Sequence, residues 1–135
     1  MSAEVFLDTN LLVYAHTSLD SRKQKIASEI IQQRQAQIST QVVQEFINVL
    51  VKKFSISWPV VRELTDQISV NCDIHTNTYR TIRLAEDLAE RYGFSFYDSL
   101  ILAAALESGA SEIYSEDMQH KQVIEGQLTI INPFI

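Results

Sequence analysis

Apolar residues in this chain follow two rhythms. Short uninterrupted runs such as Val5-Phe6-Leu7 stop abruptly at polar residues, as strands buried on both faces do. Longer stretches keep helical spacing: Val43, Phe46, Ile47, Leu50, Val51 and Phe54 predict a helix from Thr40 to about Phe54 with one stripe packed inward. The first rhythm predicts strands at Glu4 to Asp8, Ala36 to Ser39, Asn71 to His75, Glu112 to Ser115 and Thr129 to Asn132. The second predicts helices between them. A short helical turn runs through Leu11, Leu12 and Tyr14, and Asp20 or Ser21 caps a helix to about Gln35 with Ile26, Ile30 and Ile31 inward. Trp58-Pro59 begins another helix, Thr78 to Tyr92 forms one ended by Gly93, and Ser95 opens one that runs through Glu107 before Gly109.

Short apolar strands alternating with helices indicate parallel βαβ units, so the expected fold is a three-layer α/β/α arrangement around a mostly parallel sheet of about five strands. At 135 residues with 46% apolar content, one domain spanning the whole chain is expected. The longest uninterrupted apolar stretch in the last helix, Leu100 to Leu106, is far too short to cross a bilayer, and the start Met1-Ser2-Ala3-Glu4 lacks the basic region of a signal peptide. The lone Cys72 can form neither an intrachain disulfide nor a zinc knuckle. A cytoplasmic protein with no membrane association is the expectation.

A net charge of -6 argues against coating nucleic acid through a broad basic surface. It does not exclude a nuclease, because bound cations can supply the local positive charge that phosphates seek. The basic residues group as Arg22, Lys23 and Lys25, as Lys52 and Lys53, and as Arg80 and Arg83. Each group reads as a solvated face rather than an RNA track. Phe54 and Trp58 read as core residues; the competing reading is an apolar groove for a partner helix.

In open α/β sheets, ligands collect beyond the carboxyl ends of the strands, near helix N-termini. Asp8 ends the first strand, Asp117 lies two residues past the fourth, Asp98 sits in the first turn of the helix begun by Ser95, and Glu45 lies in the second turn of the helix after the second strand. All four are expected at one sheet edge, where they would repel unless cations bridged them or some were protonated. An all-oxygen set without clustered Cys or His suits Mg²⁺ or Mn²⁺ rather than Zn²⁺. His16, His75 and His120 are too dispersed to serve as ligands.

Each acid also has a bland explanation. Asp98 can complete a capping box with Ser95, Asp8 can open an Asx turn with Thr9-Asn10, and Asp117 can be a polar loop residue beside Glu116. Against these, Asp98 is the one charge before Glu107 on a helix apolar all round, and Glu45 lies beside an apolar stripe where a charge needs a partner. Asn10, Thr40 and Ser115 fall near enough to orient carboxylates or water.

The run Val5-Phe6-Leu7-Asp8-Thr9-Asn10, the helix carrying Glu45, the stretch Phe96-Tyr97-Asp98-Ser99-Leu100-Ile101, and Tyr114-Ser115-Glu116-Asp117-Met118 before a closing Ile131-Asn132-Pro133-Phe134 together resemble the PIN-domain family, in order and over essentially the whole chain. Within it the chain is most similar to the VapC-type toxins of toxin-antitoxin pairs. The resemblance implies a metal-dependent endoribonuclease in which Asp8, Glu45, Asp98 and Asp117 are the catalytic residues and hold one or two Mg²⁺ or Mn²⁺ ions. It implies hydrolysis of RNA, often tRNA or ribosomal RNA, by a metal-activated water without a covalent nucleophile. It also implies a homodimer and a small antitoxin whose tail blocks the cleft. Relatives often carry Gly where Lys121 stands, which questions the local turn and offers Lys121 as a phosphate contact.

Other classes fit poorly. An aspartyl phosphatase needs an acid where Asn10 stands, and a receiver module needs acids where Thr9 and His75 stand. Gly-rich phosphate loops, the Gly-x-Ser-x-Gly elbow and His-Glu-x-x-His are missing from the sequence. The remaining alternative is a non-catalytic PIN-like module that binds metal or RNA or acts as a scaffold, which the intact acid set disfavours because buried carboxylates cost stability.

Overall fold

The computed structural model describes residues 4–33 and 35–135. The reading of Met1-Ser2-Ala3 lies outside the described residues. The chain runs β1 (Val5–Leu7), α1 (Thr9–His16), α2 (Ser21–Gln33), β2 (Ala36–Ser39), α3 (Thr40–Lys52) and α4 (Trp58–Asn71). It continues through β3 (Cys72–His75), α5 (Tyr79–Tyr92), α6 (Phe96–Glu107), β4 (Glu112–Tyr114), β5 (Val123–Ile124) and β6 (Leu128–Ile131).

The sheet has six strands in the order β3-β2-β1-β4-β6-β5, parallel except for β5 against β6. All three residues of β1 and all four of β2 are buried, as the continuous apolar run of a covered parallel strand requires. Helix α6 is buried from Ser99 to Ala105 and packs against α5 and β2, whereas α1 packs against α2 and α3. Phe46 is fully buried on α3 and meets the His16 ring of α1 edge-on at 5.5 Å, so it ties those two helices together. Phe46→Ala is expected to cost about 3–5 kcal/mol of unfolding free energy in reversible urea denaturation; a loss below about 1 kcal/mol would contradict the packing described.

Three sequence expectations are corrected. About five strands become six, because the two-residue β5 is held by a turn in which Glu125 (φ 54°) and Gly126 (φ 65°) both have positive φ. Such turns normally announce themselves as Asn-Gly or Asp-Gly. Here Glu125 tolerates the geometry while its carboxylate accepts from Arg91 and from the Tyr92 hydroxyl, and the same hydroxyl accepts from the Glu125 N–H at 2.9 Å. The short turn after β1 is in fact an eight-residue helix, α1. Trp58 is not core: it is 55% exposed, whereas Phe54 packs partly buried against the core. Lys121 adopts the left-handed conformation that favours Gly, with φ 71°, and donates its N–H to Ile130 O.

Candidate active site

Strand order fixes where the acids meet. The chain steps from β1 outward through β2 to β3 and then returns to the other side of β1 as β4, so the switch point lies between β1 and β4. Asp8 emerges from β1 at that point and Ser115 to Asp117 from β4. The Asp8 N–H donates to Tyr114 O at 3.0 Å, which locks the two strand ends together.

Asp8 is only 5% exposed. Its Oδ1 accepts from the Thr9 N–H at 2.7 Å, so Asp8 stands at the N-cap of α1 and its carboxylate meets the next residue rather than the Asn10 N–H that an Asx turn would use. Its Oδ2 accepts from the Ser115 hydroxyl at 2.7 Å, and Ser115 Oγ in turn accepts from the Asp117 N–H at 3.2 Å. Asp117 Oδ2 takes the Asn10 amide at 3.1 Å. On α3, Glu45 Oε1 accepts from the Thr9 hydroxyl at 2.6 Å, and Gln41 donates both to Glu45 Oε2 at 3.3 Å and to Tyr97 O at 3.1 Å. That last bond ties α3 to the first turn of α6, next to Asp98. Asp98 donates its N–H to the Ser95 hydroxyl at 3.2 Å, but the reciprocal bond that would complete a capping box is not formed among the described residues.

The charges feel one another. Burial raises the Asp8 carboxyl to about 6; the Ser115 and Thr9 hydrogen bonds pull it down, and the nearby Asp117 and Glu45 push it up. Burial likewise raises Asp98, opposed by Ser95 and reinforced by Asp117 and Glu45. As the side chains stand, no three acids or histidines among the described residues converge tightly enough to grip an ion. The Thr9 hydroxyl and Asn10 amide each occupy a lone pair of Glu45 or Asp117 instead.

Ser115 and Asn10 orient carboxylates as the sequence suggests. Among the described residues the Thr40 hydroxyl meets no carboxylate; it accepts from the Asn77 N–H at 3.2 Å. Thr9 and Gln41 are the orienting residues that sequence reasoning missed. Gln41 had a signal, since it lies four residues before Glu45 on one helix face; Thr9 had none beyond its place beside Asp8. Lys23 is no free surface charge: it pairs with Glu116 at 2.6 Å and lies over the rings of Tyr14 and Phe134. His16 and His120 serve the backbone, through Leu12 O and the Asn132 N–H, and His75 pairs with Glu107.

Beside the acids lies a cleft of about 440 Å³ between α1 and α3. Thr9, Asn10, Glu45 and Asp117 form its polar end.

The PIN domain family model matches residues 5–125. Among solved structures, a toxin-antitoxin complex from Klebsiella pneumoniae superposes with a TM-score of 0.70 at 19% identity, over 96% of this chain and 97% of that one. A VapC toxin from Mycobacterium tuberculosis that cleaves the sarcin-ricin loop gives 0.68 at 16% identity, over 84% and 91%. The VapBC complex from Rickettsia felis bound to a DNA fragment from its promoter gives 0.68 at 18% identity, over 94% and 96%. No curated protein matches. At these identities the superpositions establish the fold.

Proposed function

The chain belongs to the PIN domain family, and from that premise we propose that it is a metal-dependent endoribonuclease, the toxin of a toxin-antitoxin pair. One observation carries the proposal: carboxylates from four separate chain segments are gathered at the sheet's switch point, close enough that Asp117 and Glu45 raise both Asp8 and Asp98. Without a cation that arrangement opposes folding, so it is kept for what it binds.

The residues fit a hard divalent ion. Every donor is oxygen, and Gln41, whose amide N–H₂ meets Glu45, keeps its Oε1 buried without a partner. Asp8, Glu45, Asp98 and Asp117 would hold Mg²⁺ or Mn²⁺. When bound, the ion supplies charge neutralisation at the phosphate and a more acidic water. The chain's own part is orientation: Ser115 fixes Asp8, Asn10 fixes Asp117, and Thr9 and Gln41 fix Glu45.

The Klebsiella and Rickettsia neighbours are toxin-antitoxin assemblies, and likeness to them supports a cognate antitoxin as partner; a homodimer and an antitoxin tail that blocks the cleft belong to the same proposal. The Mycobacterium neighbour's substrate supports the loop of a folded RNA as the target, with single-stranded RNA and tRNA within the same proposal. No helix among the described residues is long and apolar enough to cross a membrane.

Purified protein free of partner is expected to cut total cellular RNA at discrete sites with Mg²⁺ or Mn²⁺, not with excess chelator, and Asp98→Asn is expected not to cut. Folded wild type and variant that bind metal and RNA equally and leave RNA intact would mean a binding module instead.

A further inference from the structure

We infer that the cleft between α1 and α3 is a nucleobase subsite that holds the base of a nucleotide adjoining the scissile phosphate; this rests on the nuclease reading above. The cleft is amphipathic along its length. Each helix contributes an acid-end residue first and apolar residues one turn on: Thr9 and Asn10 then Val13 and Tyr14 on α1, and Glu45 then Val49 on α3. Lys53 lies two turns beyond Glu45, about 12 Å along the helix axis.

Three features select a base over a plain apolar group. The volume of about 440 Å³ falls in the range of small-ligand sites, and Glu45 and Asp117 line the end where the phosphate would sit. Asn10 lines the cleft and spends its amide N–H on Asp117, which leaves its Oδ1 buried without a partner, an acceptor for the N–H groups of base edges once the side chain turns toward the cleft. Asn48 adds a second amide on the opposite wall. Lys53 has its ammonium 5.8 Å from the Phe54 ring and no carboxylate partner among the described residues, so it is available to the next phosphate along the strand. An aliphatic side chain of a peptide would fill the apolar wall but leave the orphaned Asn10 acceptor and Lys53 unmet.

The probes are the four ribonucleosides, which carry no phosphate and so report on the cleft apart from the acids. Titrated into chelated protein and followed by amide NMR, at least one nucleoside is expected to shift resonances of α1 and α3. Val49→Phe, which fills the cleft, is expected to abolish those shifts, and Asn48→Ala, on the helix surface, to weaken them. With Mn²⁺ and RNA, both variants should raise KM by about tenfold while kcat and Mn²⁺ affinity stay near wild type, the signature of lost uniform binding. The subsite is overturned if no nucleoside binds, or if wild type cuts RNA and Asn48→Ala leaves KM unchanged. It is also overturned if the variants lose affinity only for a partner protein. Failure of the nuclease reading looks different: wild type itself shows no metal-dependent cleavage, whatever the nucleosides do.

Discussion

Asp8→Asn is expected to lose RNA cleavage by about a thousandfold or more and, with metal chelated, to melt higher than wild type. The two effects have one cause. Folding moves the Asp8 carboxyl from 3.8 to about 6, chiefly by burial, which at neutral pH costs roughly 3 kcal/mol if the group is to stay charged. An amide removes that charge. It does not recover all of the cost, because its N–H₂ must face Ser115 Oγ, which already accepts from Asp117. A net gain of about 1 kcal/mol, a rise of roughly 4 °C, is the expected size. Calorimetry of both proteins in chelator, beside the cleavage assay, tests the pair of effects. Activity within tenfold of wild type would remove Asp8 from the machinery, and a fall in melting temperature would show that its cap and Ser115 bonds outweigh the buried charge.

Metal should stabilise the wild type most at neutral pH and least in acid. For a carboxyl whose folded value is raised, the penalty is absent below the unfolded value near 4 and complete above the folded value near 6, so metal-free stability from Asp8 falls as pH rises through that window. Asp98, raised by burial, has the same sign. Glu116 has the opposite sign: burial raises it, but Lys23 and Tyr14 together hold it below its ordinary value, so its contribution is lost as pH falls. That pair is partly exposed and screened, and contributes little. Mn²⁺ at a hundredfold over its Kd should add about 2.7 kcal/mol at pH near 7.5, and far less near pH 5, where protons compete for the same oxygens. Melting curves with chelator and with Mn²⁺ across that range decide it. Should the chelated wild type and Asp8→Asn share one pH slope, the buried charge is not the source.

What the chain declared in advance was what rests on local pattern. The apolar runs of β1 and β2 and the stripe on α3 read correctly because burial on a sheet or helix face leaves period and composition behind. Asp8 and Asp117 were legible because strand ends in a parallel sheet must point one way. Strand β5 was not, because two residues are too few for a pattern and its turn is stabilised by distant Arg91 and Tyr92. Thr9 was passed over for a similar reason: its partner Glu45 lies 36 residues away and becomes a neighbour only when α1 packs on α3. Thr40 misled because a cap position at the right edge does not fix which way a hydroxyl turns. Trp58 misled because a large aromatic residue at a helix junction reads as core, yet stands outside it.

The bonds from Ser115 to Asp8 and from Asn10 to Asp117 each join residues 107 positions apart. Contacts of that reach carry a high loop-closure cost and form only once β4 has been laid beside β1. On the nuclease reading proposed above, a chain that has folded only its first strands holds Asp8 without the segment of Ser115 and Asp117, so the acid set is completed by the closing of the sheet itself.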